Sequence, residues 1–429
     1  MIELVVVATL FLGVLLALYA VGVPVAVAMG ITSIIVMVSP LGGGFNLGTI
    51  SNQLLFGLNS FSLLAIPFYL LLGRLMNYIG VTERIFRFAN ALVGQFRGGI
   101  AHVNVVASVI FSGMSGAAVA DAAGLGRVEY TAMRDHGYDK KFSLGVTGAS
   151  TIIGPLVPPS IPLIMYGVLA EESIGDLFLG GIFPGLLLAL ILVIMIVILS
   201  KVRGYEPDAT FDKREFWESF KGAFLAIMVP ILIVGGILSG LFTATEAGAV
   251  AVIYTLCLGM LYGEMTLGGL AQELQESMVE TFALTFIIGV AALYGLVAVQ
   301  LQLPIMMADA ITAISDNELI VILLLVALLL VVGTFMETIA AITILVPVIV
   351  PILDQVGIDP LYFGIVMVLT LMIGLLTPPF GIVLFVLEKV TDASLEEVIR
   401  GILLFYVPMF LVLLIVILFP EFVLYIPNL

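Results

Sequence analysis

The chain has 429 residues, of which 62% are hydrophobic and 10% charged, and its formal net charge is −15. Apolar runs of about 20 residues, each long enough for a hydrocarbon core of about 30 Å, recur from end to end and exclude a soluble domain. The single cysteine excludes an internal disulfide and a cysteine-based metal cluster. The composition therefore predicts an all-α polytopic membrane protein.

The first half, residues 1–201, is expected to contain five spans and one re-entrant hairpin. The first apolar run has no basic flank and no small-residue cleavage site, so we expect a retained span rather than a signal peptide. Residues 100–130 are rich in Gly, Ala and Ser and are interrupted near Ser112 and Ser115, which favours a helical hairpin over one span. The expected spans are 3–21, 23–40, 61–78, 141–169 and 177–201, with an interfacial stretch at 42–60.

The span at 141–169 is broken in its middle by Gly154 and the pair Pro158–Pro159. A helix loses two amide donors at a proline pair. Unpaired backbone in hydrocarbon costs several kcal/mol per group, so such a break persists only where it is buried or lines a polar cavity. The sequence therefore predicts free carbonyl groups at mid-membrane, and these groups bind cations.

A charged stretch, residues 202–222, is predicted to be a cytoplasmic linker that is partly an amphipathic helix. The second half, residues 223–429, repeats the plan of the first. Its hairpin is expected at 319–353 with a break at Gly333–Thr334, and its broken span at 361–387 carries the pair Pro378–Pro379. The other expected spans are 223–241, 246–262, 281–299 and 395–419, with an interfacial stretch at 263–280.

The two halves share landmarks at a constant offset of 220 positions, which indicates an internal repeat. The matching pairs are Gly113 and Gly333, Gly154 and Gly374, and Pro158 and Pro378. Because each half has an odd number of spans, the repeats are predicted to be inverted. With both termini outside, all but one of the 15 basic residues fall on inner segments, as the positive-inside rule requires. The acidic outer segments favour a solvated face over a docking surface for a partner.

The sequence contains no Gly-Lys pair, which excludes a P-loop, so an ion gradient is the expected energy source. The isolated histidines do not indicate a metal site, and no constellation indicates an enzyme. A proton-pumping subunit or a channel is disfavoured because no lysine lies deep in a span. Each predicted hairpin and the break that follows it would supply carbonyl and hydroxyl oxygens. We therefore predict at least two Na⁺ ions as the bound cofactors and no nucleotide. The alternative is that the glycines are helix-packing contacts and the prolines are kinks, which one break taken alone would favour.

Six stretches of the chain resemble the large membrane subunit of tripartite ATP-independent periplasmic (TRAP) transporters. They are residues 111–126, 132–142, 151–160, 243–254, 333–352 and 376–386. The resemblance implies an elevator-type, sodium-coupled importer of organic acids such as C4-dicarboxylates or sugar acids. It also implies a small four-helix membrane subunit and an extracytoplasmic solute-binding protein as partners, and location in the inner membrane. No nucleic acid is expected. A stand-alone sodium–dicarboxylate symporter is the alternative.

Carried over residue by residue, the resemblance implies two sodium sites. The first would comprise Ser112, Ser115, Gly154, Val157 and Pro159, and the second Gly333, Gly374, Thr377 and Phe380. Arg74 departs from the neutral or acidic residue that the resemblance leads us to expect.

The substrate carboxylate is expected between the hairpin tips, where no basic residue lies deep in the core. Helix N-termini and hydroxyl groups would then hold the anion. The expected substrate residues are Ser115, Thr334, Pro158 and Pro378. Two carboxylates at depth are candidates for a supporting role. Asp121 either serves function directly or braces hairpin one by pairing locally, for instance with Arg127, whereas Glu337 is expected to cap amides at the tip of hairpin two.

Overall fold

The computed structural model describes residues 2–38, 47–116, 118–208, 210–315 and 317–427. Within these ranges the chain forms helices and no strand, and an isolated bridge joins Arg97 to Pro207. Eight helices of the described ranges are long and apolar enough to cross a membrane. The predicted class, an all-α polytopic membrane protein, is confirmed.

The first half of the chain has eleven helices in the described residues. They are α1 (Ile2–Ala20), α2 (Val25–Val38), α3 (Leu47–Leu58), α4 (Ala65–Tyr78), α5 (Val81–Val93), α6 (Gly99–Ser115), α7 (Ala118–Ala123), α8 (Leu125–Asp135), α9 (Lys140–Ser150), α10 (Ile161–Ala170) and α11 (Ile174–Arg203). Helices α6 to α8 form hairpin 1. Helices α9 and α10 are the two parts of the first broken helix.

The second half also has eleven helices in the described residues. They are α12 (Lys213–Leu238), α13 (Ala244–Tyr262), α14 (Leu267–Gln300), α15 (Leu303–Thr312), α16 (Glu318–Phe335), α17 (Thr338–Val356), α18 (Pro360–Leu375), α19 (Ile382–Val390), α20 (Leu395–Ile402), α21 (Tyr406–Leu418) and α22 (Pro420–Leu424). Helices α16 and α17 form hairpin 2, and helices α18 and α19 are the second broken helix.

Side-chain caps explain where several helices begin. The Asp139 carboxylate accepts hydrogen bonds from two amides at the start of α9, and the Ser160 hydroxyl accepts one at the start of α10. Thr243 and Glu246 form a reciprocal capping box at the start of α13. Each cap satisfies amides that the first turn of a helix leaves without a partner. These starts are therefore fixed by local sequence.

Three boundaries differ from the sequence-based expectation. The stretch at 263–280, predicted to be interfacial, belongs mostly to the 34-residue helix α14, which runs without a break into the following span. Helix α12 likewise joins residues 213–222 of the expected linker to the first span of the second half. Hairpin 2 turns at Met336 and Glu337, after the expected Gly333–Thr334, because Glu337 caps α17.

Arg74 explains why the start of α14 stays attached to the bundle. Its guanidinium lies 3.3 Å from Glu273, 2.5 Å from Glu276 and 2.6 Å from Glu280, all on one side of α14. Its own helix, α4, packs against α14. One cation thus joins three carboxylates along about two turns of a long helix. The spacing of these glutamates places them on one face of a helix. The arginine that binds them lies about 200 positions earlier in the chain.

We predict that Arg74→Ala lowers the melting temperature of the purified chain, because it leaves three neighbouring carboxylates to repel one another. Arg87→Ala is the matched control, since Arg87 pairs with Glu215 alone and its side chain is 56% exposed. The control should change the melting temperature less, as exposed single pairs contribute little. Equal melting temperatures for the two variants would contradict a special role of the cluster.

Contacts between the halves bring the two broken helices together. Helix α10 packs against α17 and α18, while the second arm of hairpin 1 packs against α19. The Tyr166 hydroxyl donates a hydrogen bond of 2.6 Å to the Pro360 carbonyl across this boundary. Helices α9 and α20 approach closely, since a Cβ on Gly401 would lie 2.7 Å from the Lys141 carbonyl oxygen. Both hairpins and both breaks therefore belong to one packed unit.

Candidate functional site

The first broken helix is interrupted where the sequence predicts. Helix α9 ends at Ser150, helix α10 begins at Ile161, and residues between them form turns that are almost entirely buried. The Ser160 hydroxyl donates a hydrogen bond to the Pro155 carbonyl, which closes the turn. The Pro158–Pro159 bond is cis. A buried turn of ten residues thus exposes backbone carbonyl groups to the interior of the protein.

The tip of hairpin 1 lies directly on this first break. Gly116 ends α6 with a φ of 59°, and a Cβ there would lie 2.6 Å from the Pro159 carbonyl oxygen and 3.1 Å from the Ile161 amide nitrogen. Gly154 lies so close to the Asp121 carboxylate that a Cβ atom on this glycine would overlap it. Backbone at the tip, backbone at the break and one buried carboxylate therefore meet at this place.

The second half has a corresponding arrangement. Helix α18 ends at Leu375 and α19 begins at Ile382, with the cis pair Pro378–Pro379 between them. A Cβ on Gly374 would lie 2.7 Å from the Gly333 Cα, so hairpin 2 and the broken helix touch through their backbones. The Gly381 amide also donates a 2.9 Å hydrogen bond to the Thr334 carbonyl.

Glu337 holds the second arm of hairpin 2. Its carboxylate accepts hydrogen bonds from the amides of Ile339 at 2.8 Å and Ala340 at 3.2 Å. The capping contact predicted from the sequence is therefore present. Because these amides begin a helix that lies within the bundle, the carboxylate compensates the positive end of the helix dipole.

Removing this cap should loosen hairpin 2. We predict that Glu337→Ala lowers the unfolding free energy by about 0.5–2 kcal/mol, the usual cost of losing an N-cap. Glu337→Gln retains an acceptor oxygen and should lose less. The measurement is thermal unfolding of the purified chain in detergent. A larger loss for the glutamine variant than for alanine would contradict the capping role.

The remaining predicted residues are placed as follows. The side chains of Ser112 and Ser115 lie outside the described residues. The Thr377 hydroxyl donates to the Ile373 carbonyl at 2.8 Å, and the Thr334 hydroxyl donates to Val331 at 2.8 Å, which leaves their oxygen lone pairs as acceptors. Phe380 is 51% exposed, and its ring lies 5.2 Å from that of Phe335.

The two breaks differ in their exposure. Gly154, Pro158 and Pro159 are buried, and Val157 is half-buried. In the second break Gly374 and Gly381 are buried, whereas Pro378 is half-buried and Pro379 and Phe380 are exposed. The structure therefore joins each hairpin tip to its own break, and it places the second break closer to the surface.

Two contacts at the site have no signal in the sequence. The Tyr406 hydroxyl donates a 2.6 Å hydrogen bond to the Leu376 carbonyl at the second break. The contact of Asp121 with Gly154 joins α7 to the turn between α9 and α10. Both contacts depend on how helices pack, whereas the sequence marks only the breaks themselves.

A cavity of about 520 Å³ with both polar and apolar lining lies between α3, α10, α14 and α17. Its lining includes Gln53, Asn59, Glu171 and Glu172. Burial raises the pKa of the Glu172 carboxyl above its ordinary value, and the negative charges of Asp359, Asp354 and Asp176 raise it further. This part of the molecule is therefore strongly acidic, as the charge distribution in the sequence indicates.

Broken helices whose interruptions are covered by hairpin tips, inside a bundle of apolar helices, define a polytopic membrane protein built as a secondary transporter. The sequence profile of the family described as "Tripartite ATP-independent periplasmic transporter, DctM component" matches residues 12–422. The chain belongs to this family of TRAP transporter large permeases and is a transporter component rather than an enzyme.

Known proteins similar to this chain agree with that assignment. The sialic acid TRAP transporter large permease protein SiaM of Vibrio cholerae is 45% identical, over 96% of this chain and 97% of that protein. The sialic acid TRAP transporter permease protein SiaT of Haemophilus influenzae is 43% identical, over 95% of this chain and 66% of that protein. The crystal structure of the Alcanivorax borkumensis YdaH transporter has a similar fold, with a TM-score of 0.61 at 14% identity and coverage of 90% of each chain.

Proposed function

We propose that this chain is the large permease subunit of a sodium-coupled, binding-protein-dependent importer of organic acids. The observation that carries the proposal is the pairing of each hairpin tip with a helix break through backbone atoms. Gly116 touches Pro159 in the first half, and Gly333 touches Gly374 in the second. Such places concentrate carbonyl dipoles, and half-helix ends in transporters bind both ions and anionic substrates.

Sodium is the favoured cation because the oxygens at both breaks are mostly neutral, with one carboxylate, that of Asp121, beside the first break. Backbone carbonyls and the hydroxyl of Thr377 suit a hard monovalent cation, and they avoid the cost of burying several carboxylates. The residues present therefore fit the ion. The first site would use Ser112, Ser115, Gly154, Val157 and Pro159, and the second Gly333, Gly374, Thr377 and Phe380.

For the substrate we propose a carboxylate bound near both tips, at Ser115, Thr334, Pro158 and Pro378. The start of α10 is capped by Ser160 within the buried turn, so a positive helix end is directed into the site. The two relatives named for sialic acid transport make a sugar acid the substrate to test first.

The partners follow from the kind of transporter. A tripartite system needs a small membrane subunit and an extracytoplasmic binding protein. SiaT extends well beyond the region that aligns with this chain, which leaves room in that protein for a second subunit. We place the chain in the inner membrane with both termini outside, because the basic residues then lie inside. The alternative, a symporter without a binding protein, lacks support from these relatives.

Transport is proposed to follow an elevator mechanism. The hairpins and broken helices contact one another across the two halves and would move as one unit. The remaining helices, among them α4 and α14 joined by Arg74, would form the stationary scaffold. The proposed repeats are residues 1–201 and 223–429, and each of them contributes one hairpin and one broken helix to the moving unit.

The test is uptake into proteoliposomes that contain the permease subunits and their cognate binding protein. We expect uptake of the organic acid with an inward sodium gradient and none when choline replaces sodium. With a monoanion and two Na⁺, net positive charge enters, and an inside-negative potential of 100 mV would add about 2.3 kcal/mol of driving force. Unchanged uptake in choline would overturn the sodium coupling.

A further inference from the structure

A fully buried carboxyl group lies on the second arm of hairpin 1. Glu129 is only 1% exposed, although it belongs to the polar helix α8. The hydrogen bond to it in the described part of the chain comes from the Ser108 hydroxyl, 3.5 Å from Oε1. Among the described residues it forms no ion pair. Neither proposed sodium site includes it.

The surroundings of Glu129 contain an excess of acceptors. Asn104 lies one turn before Ser108 on the same face of α6 and is fully buried. The Asn104 amide nitrogen donates to the Thr147 hydroxyl at 3.0 Å, but in the described part of the chain the Asn104 Oδ1 atom has no hydrogen-bond partner. A buried acceptor without a donor is costly. The polar groups between α6, α8 and α9 therefore include one buried acceptor that has no donor among the described residues.

The charged groups on the helices packed against α8 do not compensate a negative charge on Glu129. They are His102 on α6, Asp121 on α7, Lys140 and Lys141 on α9, and Glu388 and Lys389 on α19, besides Arg127, Arg134 and Asp135 on α8 itself. Of these, Asp121 acts on Glu129, and it repels a negative charge. An ionised carboxylate buried without a cation is so unfavourable that the group takes up a proton instead.

We propose that Glu129 is a proton-binding site. The folded chain holds Glu129 as a neutral carboxylic acid at neutral pH, and its proton adds a hydrogen-bond donor beside the Ser108 hydroxyl. Loss of the proton at alkaline pH places a bare charge between α6 and α8 and separates the arms of hairpin 1. The hairpin that covers the first break is thereby sensitive to pH.

Infrared spectroscopy of the purified chain tests the proposal directly. The spectrum of wild type minus that of Glu129→Gln at neutral pH should contain the C=O stretch of a protonated carboxyl group. Glu206→Gln is the matched control, because Glu206 is exposed in the linker, and it should remove a carboxylate band instead. Loss of a carboxylate band in both variants would overturn the proposal.

Two further measurements keep the test independent of how well one variant folds. Ser108→Ala should shift the protonated C=O band, since the hydroxyl that contacts Glu129 is removed. Because the folded chain keeps the proton that the unfolded chain releases, the contribution of this group to stability falls as pH rises. The melting temperature should therefore decline less steeply towards alkaline pH in Glu129→Gln than in wild type. Parallel pH curves, or an unshifted band in Ser108→Ala, would overturn the proposal.

Discussion

Gly374→Ala is expected to abolish most sodium-driven uptake. The added methyl group would lie 2.7 Å from the Gly333 Cα and 2.8 Å from its carbonyl carbon. Both are backbone atoms, so no side chain can rotate away, and hairpin 2 must separate from the second break. Overpacking of this kind costs about 1–3 kcal/mol. The population of the packed state should fall by a factor of about 5 to 150.

Gly235→Ala is the control for this variant. Gly235 lies within helix α12, and nothing lies within 4 Å of a Cβ placed there. Alanine in an open helical position is favourable by about 0.5–1 kcal/mol relative to glycine. Uptake should therefore be unchanged and stability slightly higher. Wild-type uptake by Gly374→Ala, in proteoliposomes where Gly235→Ala is active, would refute the tight contact of tip and break.

Gly116→Ala tests the same arrangement in the first half. At this position a Cβ would lie 2.6 Å from the Pro159 carbonyl oxygen, and the φ of 59° disfavours any L side chain. The tip of hairpin 1 must move away from the break, so carbonyl oxygens of the proposed first sodium site separate. We expect uptake at saturating substrate to need a sodium concentration at least about tenfold higher, equivalent to about 1.4 kcal/mol.

The matched control is Gly137→Ala. Gly137 has a φ of 81°, but nothing lies within 4 Å of a Cβ there. Alanine at this position also has an unfavourable left-handed backbone, which costs about 1–2 kcal/mol. It does not clash with a neighbour. Its half-saturating sodium concentration should equal that of wild type. Equal sodium dependence of Gly116→Ala and Gly137→Ala would mean that the contact with Pro159 has no part in sodium binding.

The sequence predicts the helix breaks well because proline acts on its own neighbourhood. The pairs that begin at Pro158 and Pro378 both fall between helices, whereas the single prolines Pro184 and Pro230 lie inside helices. The sequence also predicts hairpin 2, but its turn lies a few residues later than expected. The reason is that the Glu337 cap, rather than Gly333, sets the start of α17. The class of membrane protein follows from apolar length alone.

Other features could not be predicted because they join distant segments. The stretch at 263–280 carries enough charge to resemble an interfacial helix. In the structure Arg74 on α4 binds its glutamates, and most of the stretch belongs to α14. The hydrogen bond from Tyr406 to Leu376 likewise depends on packing. Periodicity in one segment carries no information about which helix will lie beside it.

The central claim is that the two pairs of hairpin tip and helix break are sodium sites, and thermal unfolding of the purified chain in NaCl and in choline chloride tests it most directly. Each site filled at 100 times its Kd would stabilise the fold by about 2.7 kcal/mol. We predict that the melting temperature rises with sodium, and that Gly374→Ala and Gly116→Ala each remove part of this rise. The same melting temperature in sodium and in choline, at every concentration, would contradict the account.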